Sequence, residues 1–425
     1  MKRKSLILFI LIIALAFSGC SLSSEEISSM LTPPAMSSGR EALSQAINAA
    51  IGEGYELVYP QAGSYRTGII SVDLTGDEVT EAICFYRPSG KKDNLCFLVM
   101  ENRTEGWARL AKGESEAESV GRVAFGDLNG DGLSEIVVGW QYLGDTDGSY
   151  DVYTITGGKA ESNYSGLYTR FVMLEDTPAK LAVIRSNSAT KTVTASLVGL
   201  ADGKIGVINT VPMYDRTTDY LSVEVGKTLN GLPAVYVDGQ LESGQCVTEV
   251  LAINEQGRLT NELLTQLNAS TWRKTPVTCR DVNQDGILEI PREEALPSYR
   301  RDGVEENLNL IHWNAFDGKT LTAVSSSFVE MTEKIMVDYS ADWYGKVTVE
   351  RSETADRSFV FKTLEGEVLF TIRSYALSEY SEELGVEGWR KLYSDSDHIY
   401  AVYCEPDNSM NINYIQVYGL FSVIG

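Results

Sequence analysis

Short runs of alternating hydrophobic and polar residues, separated by glycine-containing turns, recur along most of the chain. In three places, at 153–159, 251–258 and 313–319, an apolar run meets a Gly turn and a new run begins. Alternation with a period of two indicates β-strands, and closely spaced turns indicate antiparallel hairpins. The pattern therefore predicts a mainly β protein.

One early segment has helical instead of strand periodicity. Leu43, Ala46, Ile47 and Ala50 are spaced so that they share one face of a helix. We expect this segment, within residues 40–54, to be a packing helix that covers the β-structure following it.

The pattern changes again near residue 330. Alternating segments at 346–350, 358–362, 368–372 and 399–403 predict strands, and segments near 378–384 and 411–421 predict short helices. Residues 330–425 are therefore expected to form a small α+β domain, in which we identify no functional motif. Just before this domain, the charged and turn-rich segment 291–307 predicts an exposed insertion.

Three acidic nonapeptides stand at the start of predicted strands. They read DLTGDEVTE at 73–81, DLNGDGLSE at 127–135 and DVNQDGILE at 281–289, with oxygen-bearing side chains at positions 1, 3, 5 and 9. In such a loop, alternate side chains point inward, position 7 offers its carbonyl, and glycine at position 6 allows a left-handed backbone. Hard oxygen donors at this density suit Ca²⁺ better than a softer transition metal. The alternative is that these runs are ordinary turns.

An EF-hand loop begins in the same way, but it needs a bidentate acid at position 12. That position holds Cys84, Val138 and Arg292 in the three segments, and none of these can serve. An acid at position 9 leading into a strand instead resembles the calcium loops of FG-GAP repeats (integrin-α-like, also called VCBS), which build β-propellers. The resemblance implies two full ligand sets: Asp127, Asn129, Asp131, the Leu133 carbonyl and Glu135, and Asp281, Asn283, Asp285, the Ile287 carbonyl and Glu289.

The first nonapeptide departs from this pattern. Its corresponding residues are Asp73, Thr75, Asp77, Val79 and Glu81. Threonine thus replaces the amide at position 3, and Glu78 replaces glycine at position 6. A non-glycine residue in the left-handed conformation costs about 1–2 kcal/mol. We therefore expect this loop to bind calcium weakly or not at all.

The spacing of the nonapeptides predicts the architecture. They start 54 and then 154 residues apart, and the second interval is close to three times 51. Two degenerate units, with strand–loop–strand patterns near residues 176 and 228, fill that interval. A period near 50 residues with four short strands per unit is typical of a β-propeller. We predict a propeller over residues 55–328 with about five blades, or six or seven if flanking segments add strands.

The N-terminus has the pattern of a secretory signal. Lys2, Arg3 and Lys4 precede an apolar stretch of 12 residues at 6–17, shorter than the roughly 20 that span a membrane. Small residues followed by Cys20 then resemble the cleavage site of bacterial lipoprotein precursors. This implies a signal peptide at 1–19 and a diacylglycerol thioether on Cys20 with acylation of its new amine, followed by a flexible tether at 20–39. The alternative is an ordinary signal peptide with an incidental cysteine.

Charge and composition narrow the function. A formal net charge of −23 argues against nucleic-acid binding. With only two histidines, His312 and His398, a His-rich zinc site and His-centred acid–base chemistry are poor candidates. The sequence contains no nucleophile elbow, phosphate loop or HExxH motif.

We therefore expect an extracytoplasmic protein, lipid-anchored to the cell membrane, that acts as a binding or scaffold protein. Its propeller loops would be braced by Ca²⁺, and its partner would be a protein or a glycan. The alternative is a surface polysaccharide-active enzyme, a glycan lyase or hydrolase built on a propeller. A solute-binding lipoprotein is disfavoured because no alternating βαβ pattern is present.

Cysteines and tryptophans leave two further alternatives open. Five cysteines remain after Cys20, so at least one is unpaired. Cys84 and Cys96 either form a disulfide across a predicted hairpin or, as we expect, stay free as buried thiols. Aromatic residues are either packing residues or platforms for sugar stacking, and three are of interest here: Trp140, Trp272 and Trp313.

Overall fold

The computed structural model describes residues 38–52, 54–91, 94–143, 147–263, 271–296, 308–379 and 388–424. Residues 1–19, Cys20 and most of the tether lie outside the described residues, as does most of the helix expected near 378–384. Six antiparallel sheets form the described part of the chain. The protein is mainly β, as its alternating pattern predicts.

The first four sheets each come from one continuous stretch of chain. Sheet 1 contains β1 (Tyr55–Val58), β2 (Ile70–Val72), β3 (Glu81–Pro88), β4 (Leu95–Arg103) and β5 (Gly106–Ser115). Sheet 2 contains β6 (Ser119–Gly126), β7 (Glu135–Gln141), β8 (Gly148–Thr156) and β9 (Lys159–Tyr168). Sheet 3 contains β10 (Arg170–Leu174), β11 (Lys180–Asn187), β12 (Thr192–Ala201) and β13 (Lys204–Pro212). Sheet 4 contains β14 (Thr217–Lys227), β15 (Pro233–Leu241), β16 (Cys246–Ile253) and β17 (Leu259–Thr260).

The last two sheets are interleaved in sequence. Sheet 5 contains β18 (Ile290–Ala295), β19 (Asn309–Phe316), β20 (Leu321–Glu330), β21 (Ile335–Asp338) and β27 (Phe421–Val423). Sheet 6 contains β22 (Val347–Arg351), β23 (Ser358–Thr363), β24 (Val368–Ala376), β25 (Arg390–Ser394) and β26 (His398–Cys404). Helix α1 (Ser38–Ile51) precedes the sheets, and helix α2 (Tyr414–Leu420) precedes β27.

Successive sheets pack face to face, and a hydrophobic core fills each gap. Burying both faces of a strand explains the long apolar runs, such as the first six residues of β4, Leu95 to Met100, which are all buried. Aromatic side chains from both sheets form four of these cores: Phe85, Phe97 and Trp140 between sheets 1 and 2, Tyr150 and Phe171 between sheets 2 and 3, Tyr236 and Phe316 between sheets 4 and 5, and Phe328 and Phe361 between sheets 5 and 6. Between sheets 3 and 4, the core contains the aliphatic residues Leu197 and Val235. Together with the central cavity described below, this packing makes the fold a β-propeller.

The two degenerate units expected near residues 176 and 228 are the first hairpins of sheets 3 and 4. β10 pairs with β11, and β14 pairs with β15. Four complete sheets and the first three strands of a fifth therefore arise from the chain between Tyr55 and Glu330, in agreement with about five repeats over this range.

Helix α1 covers the face of sheet 1 that points away from sheet 2. Leu43 and Ile47 are buried there against Cys84, Leu98 and other residues of β3 and β4. Ala46 and Ala50 pack against the same cluster. The helical face expected from the sequence is the face that packs.

The C-terminal segment has the expected mixture of strands and a helix, with α2 inside the range 411–421. Its core is shared with sheet 5, because Phe328 and Val337 pack in one cluster with Phe359 and Phe361. β27 pairs with β21, so this strand returns to sheet 5 after sheet 6 has been formed. The division of the chain at residue 330 stays a prediction, and the structure adds that backbone pairing crosses it.

One expectation, the exposed insertion at 291–307, is wrong for its first residues. Pro291 to Ala295 belong to β18 and pair with β19. Proline is tolerated here because β18 is the edge strand of sheet 5 and need not donate on its free side. Residues 297–307 lie outside the described residues.

The five cysteines in the described part of the chain are free thiols. In the β3–β4 pairing Cys84 lies opposite Leu98, and Cys96 lies opposite Tyr86, so the two sulfurs are not cross-strand neighbours. The disulfide alternative is therefore wrong for this pair. Trp140 and Trp313 are fully buried packing residues, whereas Trp272 is partly exposed beside Tyr214.

Candidate functional site

The three acidic nonapeptides occupy equivalent connections in three sheets. Residues 73–80 join β2 to β3, and residues 127–134 join β6 to β7. The third loop precedes β18, and its ends are joined by an antiparallel bridge between Arg280 and Glu289. Each loop therefore lies between neighbouring antiparallel segments, at the position that the repeat pattern predicts.

The loops of adjacent sheets touch each other. The Ser134 N–H donates to the Leu74 carbonyl at 2.8 Å, which joins the first two loops. The Ala179 N–H donates to the Asp127 carbonyl at 2.8 Å, which joins the second loop to the first hairpin of sheet 3. These loops therefore form a continuous layer at one end of the propeller.

In the second loop, Asp127 organises the backbone. Its Oδ1 accepts hydrogen bonds from Gly130 N (2.6 Å) and Asp131 N (3.1 Å), and its Oδ2 accepts one from Gly132 N (3.0 Å). Gly132 has a φ of 87°, the left-handed conformation expected at position 6. The carboxylate at position 1 thus holds the loop closed from inside.

Glu135, at position 9 of the same loop, is buried. It accepts hydrogen bonds from Leu128 N (2.8 Å), Asn129 Nδ2 (2.7 Å) and Thr154 Oγ1 (3.1 Å). Burial raises the pKa of its carboxyl, and the nearby charge of Asp131 adds to this, while the hydrogen bonds oppose it. A buried carboxylate beside a second acid is a position at which a cation would lower the electrostatic energy.

The third loop repeats this arrangement with one difference. Asp281 accepts from Asp285 N (3.1 Å) and Gly286 N (2.8 Å), and Glu289 Oε2 accepts from Val282 N (2.9 Å). Glu289 is 0% exposed, and its Oε1 has no hydrogen-bond partner among the described residues. A buried carboxylate oxygen without a donor is costly, and a bound cation would satisfy it.

The first loop has the strain expected from its sequence. Asp73 accepts from Gly76 N (2.7 Å) and Glu78 N (2.9 Å), and Glu81 accepts from Leu74 N (2.7 Å). Glu78 adopts a left-handed φ of 66°. The buried Thr75 Oγ1 lacks a partner among the described residues. The loop keeps the shape of the other two in spite of its substitutions.

The remaining sequence-predicted ligands are placed in the same loops. Asp131 and Asp285 each accept, through Oδ1, the N–H of the residue two positions on, at 2.8 Å. Asp77 does the same for Val79 N at 2.9 Å. The amides at position 3, Asn129 and Asn283, donate to the Oδ2 of the acid at position 5. The side chains at position 7 project outward in the first two loops, where Val79 and Leu133 are exposed.

The side chains of the acidic loops have the right donor atoms for a hard divalent cation, but they are not arranged around a single point. Every candidate group is an oxygen or amide donor, as Ca²⁺ requires. However, within the described ranges no group of three or more His, Cys, Asp or Glu side chains is arranged to hold a metal ion. In the second loop the Asn129 Nδ2 lies 3.0 Å from Asp131 Oδ2 and 2.7 Å from Glu135 Oε1, so an amide nitrogen occupies the space between two carboxylates.

A central cavity of about 570 Å³ lies where the first strands of sheets 2, 3 and 4 meet. β6, β10 and β14 contribute Arg122, Arg170 and Glu224 to its wall, and the segment before β2 contributes Tyr65. The T-shaped contact of Tyr65 with Phe125, at 4.9 Å between ring centroids, holds that segment against β6. The sequence analysis missed this site because its residues come from four separate segments without a shared motif.

A second cluster was also missed. On sheet 5, His312 Nδ1 lies 2.8 Å from Ser326 Oγ, and His312 Nε2 lies 2.8 Å from Glu294 Oε2. Tyr344 Oη donates to the same Glu294 oxygen at 3.0 Å. The hydrogen bonds from His312 and from Tyr344 lower the pKa of the Glu294 carboxyl. Three neighbouring strands bring the cluster together, so only the strand register could have revealed it.

No helix in the described ranges is long and apolar enough to cross a bilayer.

Comparisons with known proteins give a resemblance to solved structures but none to a protein family. No protein-family model matches the sequence, and no curated protein matches it. Among solved structures, the chain is similar to the structure of the Dos1 propeller, with a TM-score of 0.33 and 11% sequence identity over 72% of this chain and 67% of that one. At this level of similarity we draw no functional argument from that protein.

Proposed function

We propose that this protein is an extracytoplasmic, lipid-anchored binding or scaffold protein whose propeller is braced by Ca²⁺ in its acidic loops. Its ligand would be a protein or a glycan that contacts the loops or the central cavity. Nucleic acid remains an unsuitable partner, since the formal net charge is −23.

The buried acid at position 9 carries the metal part of the proposal. Glu81, Glu135 and Glu289 recur at the same connection in three sheets, and burial raises the pKa of each carboxyl. In the third loop one carboxylate oxygen is buried without a hydrogen-bond donor. Each of these carboxylates accepts a backbone N–H of its own loop, but burying an acid beside further acids in three loops favours a compensating cation over an ordinary turn.

The proposed ion would be held by the acids and amides at positions 1, 3, 5 and 9 and by the position 7 carbonyl. It would supply positive charge where these groups otherwise repel each other. With free Ca²⁺ at ten times the dissociation constant, one site would stabilise the fold by about 1.4 kcal/mol.

Calcium-dependent unfolding of the chain lacking residues 1–19 tests this. We expect a higher midpoint in CaCl₂ than in EGTA, and loss of about one site's contribution in Asp127→Asn or Asp281→Asn. Asp317→Asn is the matched control, because Asp317 accepts the N–H groups of Lys319 and Thr320 in an ordinary turn. Identical wild-type curves in CaCl₂ and EGTA would refute the metal part.

The anchoring part rests on the sequence of residues 1–20. Two or three acyl chains make membrane residence effectively stable, since each buried CH₂ contributes roughly 0.8 kcal/mol. In a bacterial host, the full chain should sediment with membranes and incorporate labelled palmitate. Cys20→Ser should do neither, and its continued acylation would contradict the proposal.

A polysaccharide-active enzyme is the second candidate, and the central cavity is the observation that favours it. Arg122, Arg170, Tyr65 and Tyr220 all line this cavity. Incubation with acidic and neutral polysaccharides, followed by analysis of released oligosaccharides, separates the two functions. Release of product that Arg122→Gln abolishes would support the enzyme, and intact polymers throughout would support the binding protein.

A further inference from the structure

The central cavity holds two arginines in an otherwise acidic protein. Arg122 on β6 and Arg170 on the neighbouring β10 both line it, although the chain as a whole carries a formal charge of −23. Two carboxylates, Glu175 and Glu224, line the same cavity and balance its formal charge. The two guanidinium groups are close enough for the charge of Arg170 to lower the pKa of Arg122, in addition to the larger effect of burial. An anion placed between the two guanidinium groups would relieve this local repulsion.

Arg122 keeps part of its hydrogen-bonding capacity unused. Its Nη1 donates to the Phe171 carbonyl at 2.8 Å, which fixes the guanidinium beside β10. Among the described residues this is its one hydrogen bond, and it forms no ion pair with a carboxylate. A guanidinium held by one edge presents its other donors in the planar geometry that a carboxylate accepts.

Arg170 is positioned by contacts at its own end of the cavity. Its Nη1 donates to the Thr169 carbonyl at 2.9 Å, and its Nη2 contacts the exposed carboxylate of Asp219 at 3.2 Å. Its guanidinium also lies 5.8 Å from the ring centre of Tyr220. An exposed ion pair of this kind contributes little, so Arg170 can turn toward a ligand at low cost.

The segment before β2 is shaped to admit the Arg122 side chain. Gln61 N donates to the Val120 carbonyl (3.0 Å), and Ala62 N donates to the Gly121 carbonyl (2.9 Å), so this segment runs alongside β6. At Gly63, which has a φ of 88°, an added Cβ would lie 3.1 Å from Arg122 Cγ. The cavity wall is therefore fitted closely around this arginine.

The rest of the lining selects among anions. Two carboxylates, Glu175 and Glu224, share the cavity with the arginines and disfavour a compact dianion such as phosphate, which places two charges at one point. Carboxylates and the hydroxyls of Ser64 and Ser222 are suitable partners for ligand hydroxyl groups. A ligand that places a single carboxylate on the two arginines and hydroxyls elsewhere in the cavity fits this lining.

We propose that the central cavity binds a uronate-containing oligosaccharide, one carboxylate of which contacts Arg122 and Arg170 while its hydroxyls contact Glu175 and Glu224. A volume of about 570 Å³ lies within the range of small-molecule sites and admits a short oligomer. This inference rests on the proposed binding function and names the chemical class of its ligand.

Isothermal titration calorimetry with β-1,4-linked triglucuronate tests the proposal. Cellotriose is the matched neutral probe, because it has the same linkage and lacks only the carboxylates. We expect binding of triglucuronate at least tenfold tighter than that of cellotriose, and a loss of about tenfold or more in Arg122→Gln. Arg122→Lys should recover part of the affinity, since it restores the charge without the planar fork.

Arg109→Gln is the control variant, because Arg109 is exposed on β5 and does not line the cavity. It should bind triglucuronate as the wild type does. If Arg122→Gln does not fold, Arg170→Gln supplies the test in its place. In a folded variant of either arginine, CaCl₂ should raise the thermal midpoint as it does in the wild type. Equal binding of the two trisaccharides, or equal loss in Arg109→Gln, would overturn the inference.

Two outcomes separate this inference from the function on which it rests. Calcium-dependent stabilisation without triglucuronate binding would overturn the inference and leave the calcium-braced propeller standing. Triglucuronate binding that depends on Arg122, in a protein whose unfolding curves are identical in CaCl₂ and EGTA, would support the inference and refute the metal part of the proposed function. Inorganic phosphate that binds more tightly than triglucuronate would overturn the uronate assignment.

Discussion

A buried ion pair between Arg273 and Asp238 offers a sharp test of how sheets 4 and 5 are joined. Arg273 precedes the third acidic loop, and Asp238 lies on β15 of sheet 4. The Nη2–Oδ1 distance is 2.8 Å, and the two side chains are 0% and 1% exposed. We predict that Asp238→Asn will be among the most destabilising single-atom changes in this protein.

The size of the effect follows from the contacts. Arg273 also donates to the Thr248 hydroxyl (2.9 Å) and the Val277 carbonyl (2.8 Å), and Asp238 accepts from Cys279 N (2.8 Å). Asparagine at 238 would leave a guanidinium charge buried without its counter-ion. Breaking a buried pair from one side costs about 3–5 kcal/mol. By contrast, the exposed pair of Arg103 and Glu101 should contribute less than about 1 kcal/mol.

Equilibrium unfolding in urea, monitored by tryptophan fluorescence, measures the loss of stability for each of the two ion pairs. We expect a loss of about 3–5 kcal/mol for Asp238→Asn and of less than about 1 kcal/mol for Glu101→Gln. The double variant Asp238→Leu with Arg273→Met should recover most of the loss, since no charge then remains buried. Raising the NaCl concentration should leave the larger loss unchanged, because salt screens exposed charges far more than buried ones. Similar losses in the two single variants would refute the reasoning.

Three further predictions concern other parts of the fold. Ile47→Ala should destabilise the protein by about 2–4 kcal/mol in the same urea assay, whereas the exposed Gln45→Ala should have little effect, since only Ile47 packs on sheet 1. Burial raises the pKa of Glu249 to about 7. The stability that this proton contributes is therefore present below about pH 4.5 and is lost as the pH rises to about 7. In Glu249→Gln, the free energy of unfolding should fall less steeply with pH and exceed that of the wild type by on the order of 3 kcal/mol at pH 8. Parallel profiles of stability against pH for the two proteins would contradict this. Burial also raises the pKa of Cys84 to about 12 and of Cys404 to about 11, so the native thiols should react with a disulfide reagent only after unfolding, and rapid native labelling of Cys84 would contradict its burial.

The sequence allowed the parts of the fold that depend on local patterns to be predicted. Alternation and turn residues identify the hairpins of sheets 3 and 4, because a strand and its neighbour are adjacent in the chain. The face of α1 follows from the spacing of its apolar residues. The acidic loops were located because each one combines its motif with the strand that follows it.

The remaining features depend on contacts between distant segments. β27 pairs with β21, although all the strands of sheet 6 lie between them in the sequence. The three residues of β27, Phe421 to Val423, contain no pattern that indicates this partner. β18 was missed because Pro291 and its charged neighbours are unusual in a strand, and only its edge position makes them acceptable. The His312 cluster and the arginine-lined cavity require the register of several strands, which hydrophobic periodicity does not specify.

The pairing of β27 with β21 has a consequence for the order in which the chain folds. Sheets 1 to 4 can be completed as soon as their own residues have been synthesised, since their contacts are local. Sheet 5 is completed only after β27 has been made, and until then the edge of β21 is open to pairing with other molecules. A chain that still lacks β27 would therefore be most prone to aggregate through this edge, although four sheets could already have formed.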